Sequence, residues 1–505
     1  MKKVTNMIQA IDYWAEHEPE RLMYDSIDEQ KTYRDLKEQS DRIAMYLAKE
    51  VPAGPIIVYG GQEFEMIASF VACSKAGRAY IPIETHTPSE RFEMICSVAK
   101  PALIIETTQS ISDETRGLIG EIPTIRYDHI PMVEEVTLTP VSGDDTYYII
   151  FTSGTTGVPK GVQISHDNLV SFVNWELSDF GLNEGERFLS QAPYSFDLSV
   201  MSVYPSLVSG GTLLPLTKDV FNDFKRLFET LPKMDINVWV STPSSMDLCL
   251  MDKSFNGDVL SSISCFLFCG EELSMSTAQK LVERFPNARI YNTYGPTEAT
   301  VAVTAIQVTE EVLNHYDRLP IGHVKEDTRI IIMEDGKPLA TGEVGEIIIA
   351  GPSVSKGYMN NPEKTAEAFF EYEGTPAYHT GDAGHFDEDG ILRYDGRIDF
   401  QVKVHGYRME LEDIDHHLNQ VSYIKQAVVV PKYKEHKVQQ LIAYVIPNEN
   451  DFEKDYQLTK AIKEELSDTV MDYMIPQRFV YVDQLPLTPN GKIDRKGLIN
   501  EVNNG

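Results

Sequence analysis

Apolar positions over the first 150 residues switch repeatedly between helical and strand spacing. Thr32-Tyr33-Arg34-Asp35 has the spacing of a capping box, and Leu36, Ile43 and Leu47 follow at helical intervals. Ile56-Ile57-Val58-Tyr59 is a short apolar run of the length of a buried strand. Residues 63–75 predict a helix that stops at Gly77, a C-terminal cap residue. Residues 79–83 and 102–105 predict further strands with a helix between them. This is βαβ alternation, and it implies a sheet with helices on its faces.

The same alternation returns over residues 145–325, with strands at 147–151, 238–240 and 266–268 and a helix around Ala278, Leu281, Val282 and Phe285. Over 328–395 the pattern changes to short strands (329–333, 346–350, 391–394) joined by glycine-containing turns, as in an antiparallel subdomain. The last hundred residues read as a small α+β unit: a helix at 410–418, strands at 427–430 and 441–446, and a helix at 458–466. The polar segment Asp395-Gly396-Arg397-Ile398-Asp399 is the expected joint. The fold class expected is α/β. A large N-terminal domain, residues 1–397, holds two α/β subdomains and a β subdomain, and a small mobile domain, residues 398–505, follows.

A chain of 505 residues is too long for one hydrophobic core, which agrees with that division. Its formal charge of −32 argues against nucleic-acid binding, so any anionic nucleotide must meet locally concentrated positive groups. No apolar run approaches the roughly 20 residues of a membrane span, and the start lacks a signal core. A cytoplasmic enzyme with no membrane insertion is expected. The five cysteines make no disulfide framework. Cys265 and Cys269 have poor zinc spacing, and His416-His417 lacks a metalloprotease pattern, so neither pair is assigned to a metal.

The strongest local signal is Thr152-Ser153-Gly154-Thr155-Thr156-Gly157-Val158-Pro159-Lys160-Gly161, directly after a predicted strand. Its backbone N–H groups can surround phosphate oxygens, and Lys160 adds charge. Taken alone it also reads as an ordinary surface turn, and it is not a Walker A loop. The loop resembles the signature of the ANL superfamily of acyl-CoA synthetases, peptide-synthetase adenylation domains and luciferases. Further segments resemble that family's motifs in order: Lys75 to Pro82, Phe196-Asp197-Leu198-Ser199, Asn292-Thr293-Tyr294-Gly295-Pro296-Thr297-Glu298, Tyr378-His379-Thr380-Gly381-Asp382, Gly396-Arg397-Ile398-Asp399 with Gly406 to Glu412, and Asn490 to Lys496.

The resemblance implies attack of a substrate carboxylate on the α-phosphate of ATP, a reaction that rests on positioning and electrostatics. Lys492 is then set against the α-phosphate and carboxylate oxygens, and Glu298 holds Mg²⁺, a cation that prefers oxygen ligands. Asp382 accepts from the ribose hydroxyls, and Arg397 supports ribose or phosphates. Asn292, Thr293 and Tyr294 contact the adenine, with Tyr294 stacked on it. Asp399 is the hinge of a lid. One lid orientation brings Lys492 to the site, and the other opens a path for a carrier's phosphopantetheine thiol.

Asp197 lies where amino-acid-activating relatives carry an aspartate for the substrate ammonium. Around Phe266-Leu267-Phe268-Cys269-Gly270-Glu271 the chain resembles one subfamily, the D-alanine–D-alanyl carrier protein ligases. In that light Cys269 narrows the acyl pocket to about alanine size, Val301 lines it too, and the product feeds D-alanylation of teichoic acids. The amino acid's chirality rests on the resemblance alone. Other readings stay open: a peptide-synthetase-type enzyme for another small amino acid, an acyl-CoA synthetase, or a nucleotide-binding regulator without turnover. The carrier-docking surface stays open: Arg408, Lys425 and nearby basic residues could face an acidic carrier, but scattered surface lysines are usually just solvated.

Overall fold

The computed structural model describes residues 3–154, 157–434, 436–488 and 493–504, the side chain of Asn504 excepted. The capping box forms: the Thr32 hydroxyl accepts from the Asp35 N–H at 3.2 Å, and Asp35 accepts from the Thr32 N–H at 2.7 Å. It opens helix Tyr33–Glu50, which buries Leu36, Ile43 and Leu47.

Two α/β sheets share one core. The first has six strands, in the order Thr124–Arg126, Leu103–Glu106, Ile56–Gly60, Tyr80–Glu84, Thr146–Thr152 and Lys160–Ser165. All neighbours there are parallel except the last pair, whose antiparallel turn carries the glycine-rich loop. The second sheet has nine strands. At its centre Thr212–Pro215, Arg187–Ser190, Val238–Ser241, Cys265–Phe268 and Arg289–Tyr294 run parallel. The two-residue side-chain period of a strand decides its faces: Val238 and Val240 enter the shared core, while Trp239 enters a second core on the far side.

The Lys75 to Pro82 segment is a packing device. Lys75 is 2% exposed and its ammonium sits 2.8 Å from Asp12 and 2.6 Å from Asp41, which ties three helices together. Gly77 is left-handed (φ 71°), and a Cβ there would lie 2.7 Å from the Thr139 carbonyl oxygen.

The predicted antiparallel sheet is present, ordered Lys337–Pro338, Arg329–Glu334, Gly345–Ala350, Thr375–Phe386 and Phe369–Tyr372. Strand Leu392–Arg397 also pairs with Thr375–Phe386, with Asp382 opposite Arg397. Asp395 to Arg397 therefore belong to this ladder, and the unpaired connection is shorter than the polar composition implied. Ladder hydrogen bonds do not depend on side-chain polarity, so composition overstated the joint.

Beyond it, strands Gln401–Val404 and Tyr407–Glu410 form a hairpin. His405 (φ 52°) and Gly406 (φ 85°) make its turn, both left-handed as a two-residue hairpin turn requires. Helix Leu411–Leu418 and helix Asp455–Leu466 pack on a three-stranded sheet around Ile414, Val429, Ala443 and Ile462. Its strands Ile424–Lys434 and Lys437–Pro447 outrun their apolar centres, because the pairing continues through polar residues. Among the described residues no helix is long and apolar enough to cross a membrane.

Candidate active site

The site lies where the glycine-rich loop, the C-terminal end of strand Arg289–Tyr294 and the 401–410 hairpin meet. A cavity of about 580 Å³ is lined by Cys269, Asn292, Thr293, Tyr294, Gly295, Asp382, Arg397 and Lys403. The strand end is held rigidly: Asn292 donates to the Pro320 carbonyl at 2.9 Å, and Thr293 to that of Phe268 at 2.8 Å. The Tyr294 hydroxyl donates to Asp382 at 2.5 Å, and Arg397 donates to the other Asp382 oxygen at 2.9 Å. Arg397 also pairs with Asp399, whose carboxylate accepts from the Gln401 N–H at 3.1 Å. Burial works against the Arg397 charge, but Asp382 and Asp399 outweigh it and hold the guanidinium protonated.

After Tyr294 the backbone turns tightly. Thr300 (φ 58°) and Val301 (φ 69°) are consecutive left-handed residues, a strain that a well-fixed site sustains. A Cβ on Gly295 would lie 2.5 Å from the Ala302 Cα, so no larger residue fits that turn. The turn places Val301 against Cys269, whose thiol points at the Val301 carbonyl at 3.7 Å. Burial pushes the Cys269 thiol pKa up.

Asp197 occupies a neighbouring, smaller space with Thr152, Ser153, Phe196, Thr297, Tyr407 and Arg408. It is 7% exposed. Burial raises its pKa against the Thr297 hydroxyl and the charges of Lys403 and Arg408, neither of which forms an ion pair with it among the described residues. Lys403 lies close enough to act on both Asp197 and Cys269, which flank the site together. Tyr407 closes this side, its ring 5.5 Å from Phe196 and stacked 3.9 Å from Tyr473.

Glu298 is fully buried in the short helix Thr297–Ala299. It accepts from the Tyr358 hydroxyl at 2.8 Å and from Arg408 at 2.5 Å. Burial alone would raise its pKa, but Arg408, Lys160 and Tyr358 prevail and hold it at about 2. Lys160 lies 3.7 Å from Glu410 and over the Tyr358 ring, and burial pushes its pKa down. Ser153 bonds the hairpin backbone, donating to the Arg408 carbonyl at 3.3 Å and accepting from the Glu410 N–H at 3.2 Å. Gly157 packs against His416, so a Cβ there would come within 2.5 Å of that ring.

This geometry corrects one expectation. Arg408 does not face outward toward a carrier; it is drawn inside by the buried Glu298 carboxylate. Its partner is 110 residues earlier in the chain, a distance that composition cannot bridge. In the sequence Tyr407 and Glu410 stand out only as members of the motif Gly406 to Glu412, with no role of their own, and Tyr358 does not stand out. The available signal was His405-Gly406 between two alternating strands, which marks a hairpin. Thr155, Thr156 and Lys492 lie outside the described residues.

Comparison with known proteins agrees with this arrangement. A family model described as AMP-binding enzyme matches residues 11–359, and its C-terminal domain model matches residues 413–492. A D-alanine–D-alanyl carrier protein ligase of Lactiplantibacillus plantarum is 58% identical over 99% of each chain. One from Streptococcus agalactiae is 52% identical over 99% of this chain and 100% of its own. Among solved structures, an NRPS protein containing adenylation and PCP domains is 25% identical, with a TM-score of 0.82 over 98% of this chain and 84% of that one. The Vibrio cholerae adenylation domain AlmE, solved with glycyl-adenosine-5'-phosphate, shares the fold at 22% identity and a TM-score of 0.81 over 99% and 98% of the two chains. The chain belongs to the AMP-binding enzyme family and, within it, to the D-alanine–D-alanyl carrier protein ligases.

Proposed function

We infer that this enzyme joins D-alanine to AMP and then transfers the D-alanyl group to the phosphopantetheine thiol of a carrier protein. The observation that carries the reading is Asp197, a buried carboxylate with no ion-paired cation among the described residues, facing a space beside the phosphate loop. Burying such a group is costly unless a cation joins it, and a substrate ammonium supplies one. Cys269 and Val301 fill the adjoining wall and leave room for a small side chain.

In the first step the D-alanine carboxylate attacks the α-phosphorus of ATP and pyrophosphate leaves. Asn292, Thr293 and Tyr294 hold the adenine, Asp382 with Arg397 the ribose, and the loop from Thr152 to Lys160 the phosphates. Lys492 offsets charge on the α-phosphate and carboxylate oxygens. Mg²⁺ fits Glu298, a deprotonated oxygen ligand, and when bound there it neutralises phosphate charge. In the second step the carrier thiol attacks the acyl carbonyl and AMP departs. We read residues 1–397 as the platform, 398–505 as the lid and Asp399 as its hinge. The thioester serves D-alanylation of teichoic acids from the cytoplasmic side.

Incubation with ATP, Mg²⁺, D-alanine and a phosphopantetheinylated carrier tests the reading, with hydroxylamine-labile alanine on the carrier as the readout. Wild type should load the carrier, and Asp197→Asn should raise the D-alanine KM by about tenfold or more. Undiminished loading by Asp197→Asn would overturn the role given to Asp197.

A further inference from the structure

The Glu298 carboxylate is 0% exposed, and a charge buried that deeply requires a partner. In the arrangement described here the partner is Arg408, at 2.5 Å from Oε2, while Tyr358 holds Oε1. The hairpin that carries Arg408 is fixed at the same place by a second contact, the Ser153 hydroxyl of the phosphate loop. A third contact is the approach of Lys160 to Glu410. Two carboxylates, Glu298 and Glu410, thus face two cations, Lys160 and Arg408, and the cluster is neutral. A divalent ion on Glu298 would upset that balance and contest the same oxygen.

We propose that Arg408 and Mg²⁺ are alternative cations for Glu298, so that release of the ion is what lets the 401–410 hairpin latch into the site. The inference rests on the adenylation reading and deepens it by naming what couples the two steps. While Mg²⁺ and pyrophosphate are present, Glu298 is neutralised by the ion, Ser153 and Lys160 serve the phosphates, and the hairpin has no seat. Once they leave, the carboxylate would be left buried and uncompensated. Arg408 fills that place, and its backbone takes the vacated Ser153 hydroxyl. Arg408 is a positioning residue in this scheme, since it acts through the lid.

The test reads lid position directly. All five native cysteines are buried, so cysteines introduced at exposed Ile27 and Tyr456 accept a spin-label pair selectively. Distance distributions are recorded without nucleotide while Mg²⁺ is titrated, with a monovalent salt at matched ionic strength as control. Mg²⁺, and not the control salt, should deplete the latched distance by about tenfold or more. Arg408→Gln should show that depletion already without Mg²⁺ and respond no further, and Arg408→Lys should fall between. A wild-type distribution indifferent to Mg²⁺, or equally sensitive to the control salt, would overturn the proposal without need of any variant. Pyrophosphate exchange is scored separately: exchange present with no lid response sinks only this inference, and exchange absent sinks the reading beneath it.

Discussion

Arg397 and Asp382 meet at 2.9 Å across neighbouring strands, and the Tyr294 hydroxyl holds the second Asp382 oxygen at 2.5 Å. The pair joins strand Leu392–Arg397 to the wall of the cavity that holds Tyr294. Removing the arginine leaves the buried Asp382 short of its countercharge. Arg397→Ala should therefore raise the ATP KM at least about tenfold, and Arg397→Lys should not restore it, because lysine lacks the fork that reaches Asp382 and Asp399 together. Steady-state exchange kinetics check this.

Substitution of Gly406 should separate the two half-reactions. A Cβ there would lie 2.3 Å from the Thr242 side chain, and the residue has φ +85°. Gly406→Val should block seating of the hairpin. Carrier loading should fall by about a hundredfold, on the scale of 3 kcal/mol of overpacking, while amino-acid-dependent exchange stays within a few-fold. Equal loss of both activities would contradict this.

Lys75 contributes stability rather than chemistry. Lys75→Met removes the buried ammonium but leaves Asp12 and Asp41 paired with Lys37, at 3.3 and 3.1 Å, and should cost about 1–3 kcal/mol in denaturant unfolding. Nucleotide affinity measured below the transition should be unchanged.

Glu176 provides a pH test. It is fully buried with neither carboxylate oxygen hydrogen-bonded among the described residues, and burial raises its pKa well above the ordinary value. A raised folded pKa means that the neutral form is favoured on folding. Its contribution is intact below about pH 4.3 and is lost as the pH rises toward the folded value. Glu176→Gln should stabilise the protein at pH 8 relative to pH 5, by about 1–3 kcal/mol. A pH-independent difference would count against it.

Local chemistry carried much of this structure in the sequence. The Thr32 capping box, the strand ahead of the glycine-rich loop and the alternation at Val238-Trp239-Val240 each depend on neighbours a few residues away. Asn292, Thr293 and Tyr294, which line the cavity from strand Arg289–Tyr294, were singled out through the family's motifs. What stayed hidden depends on partners distant in the chain. Arg408 read as a surface cation because nothing near it announces Glu298. Lys75 read as part of a motif without a reason until Asp12 and Asp41 were seen beside it. The hairpin's contribution of Tyr407 beside Asp197 and Lys403 beside Cys269 is likewise recorded by no local pattern.

Labelled-pyrophosphate exchange into ATP, driven in turn by D-alanine, L-alanine, glycine and D-serine, tests the central claim most directly. The account predicts strong exchange with D-alanine and at least about tenfold less with the others. Preference for another of the four would contradict the substrate, and absence of exchange with all of them in folded, magnesium-supplied enzyme would contradict the adenylation of D-alanine itself.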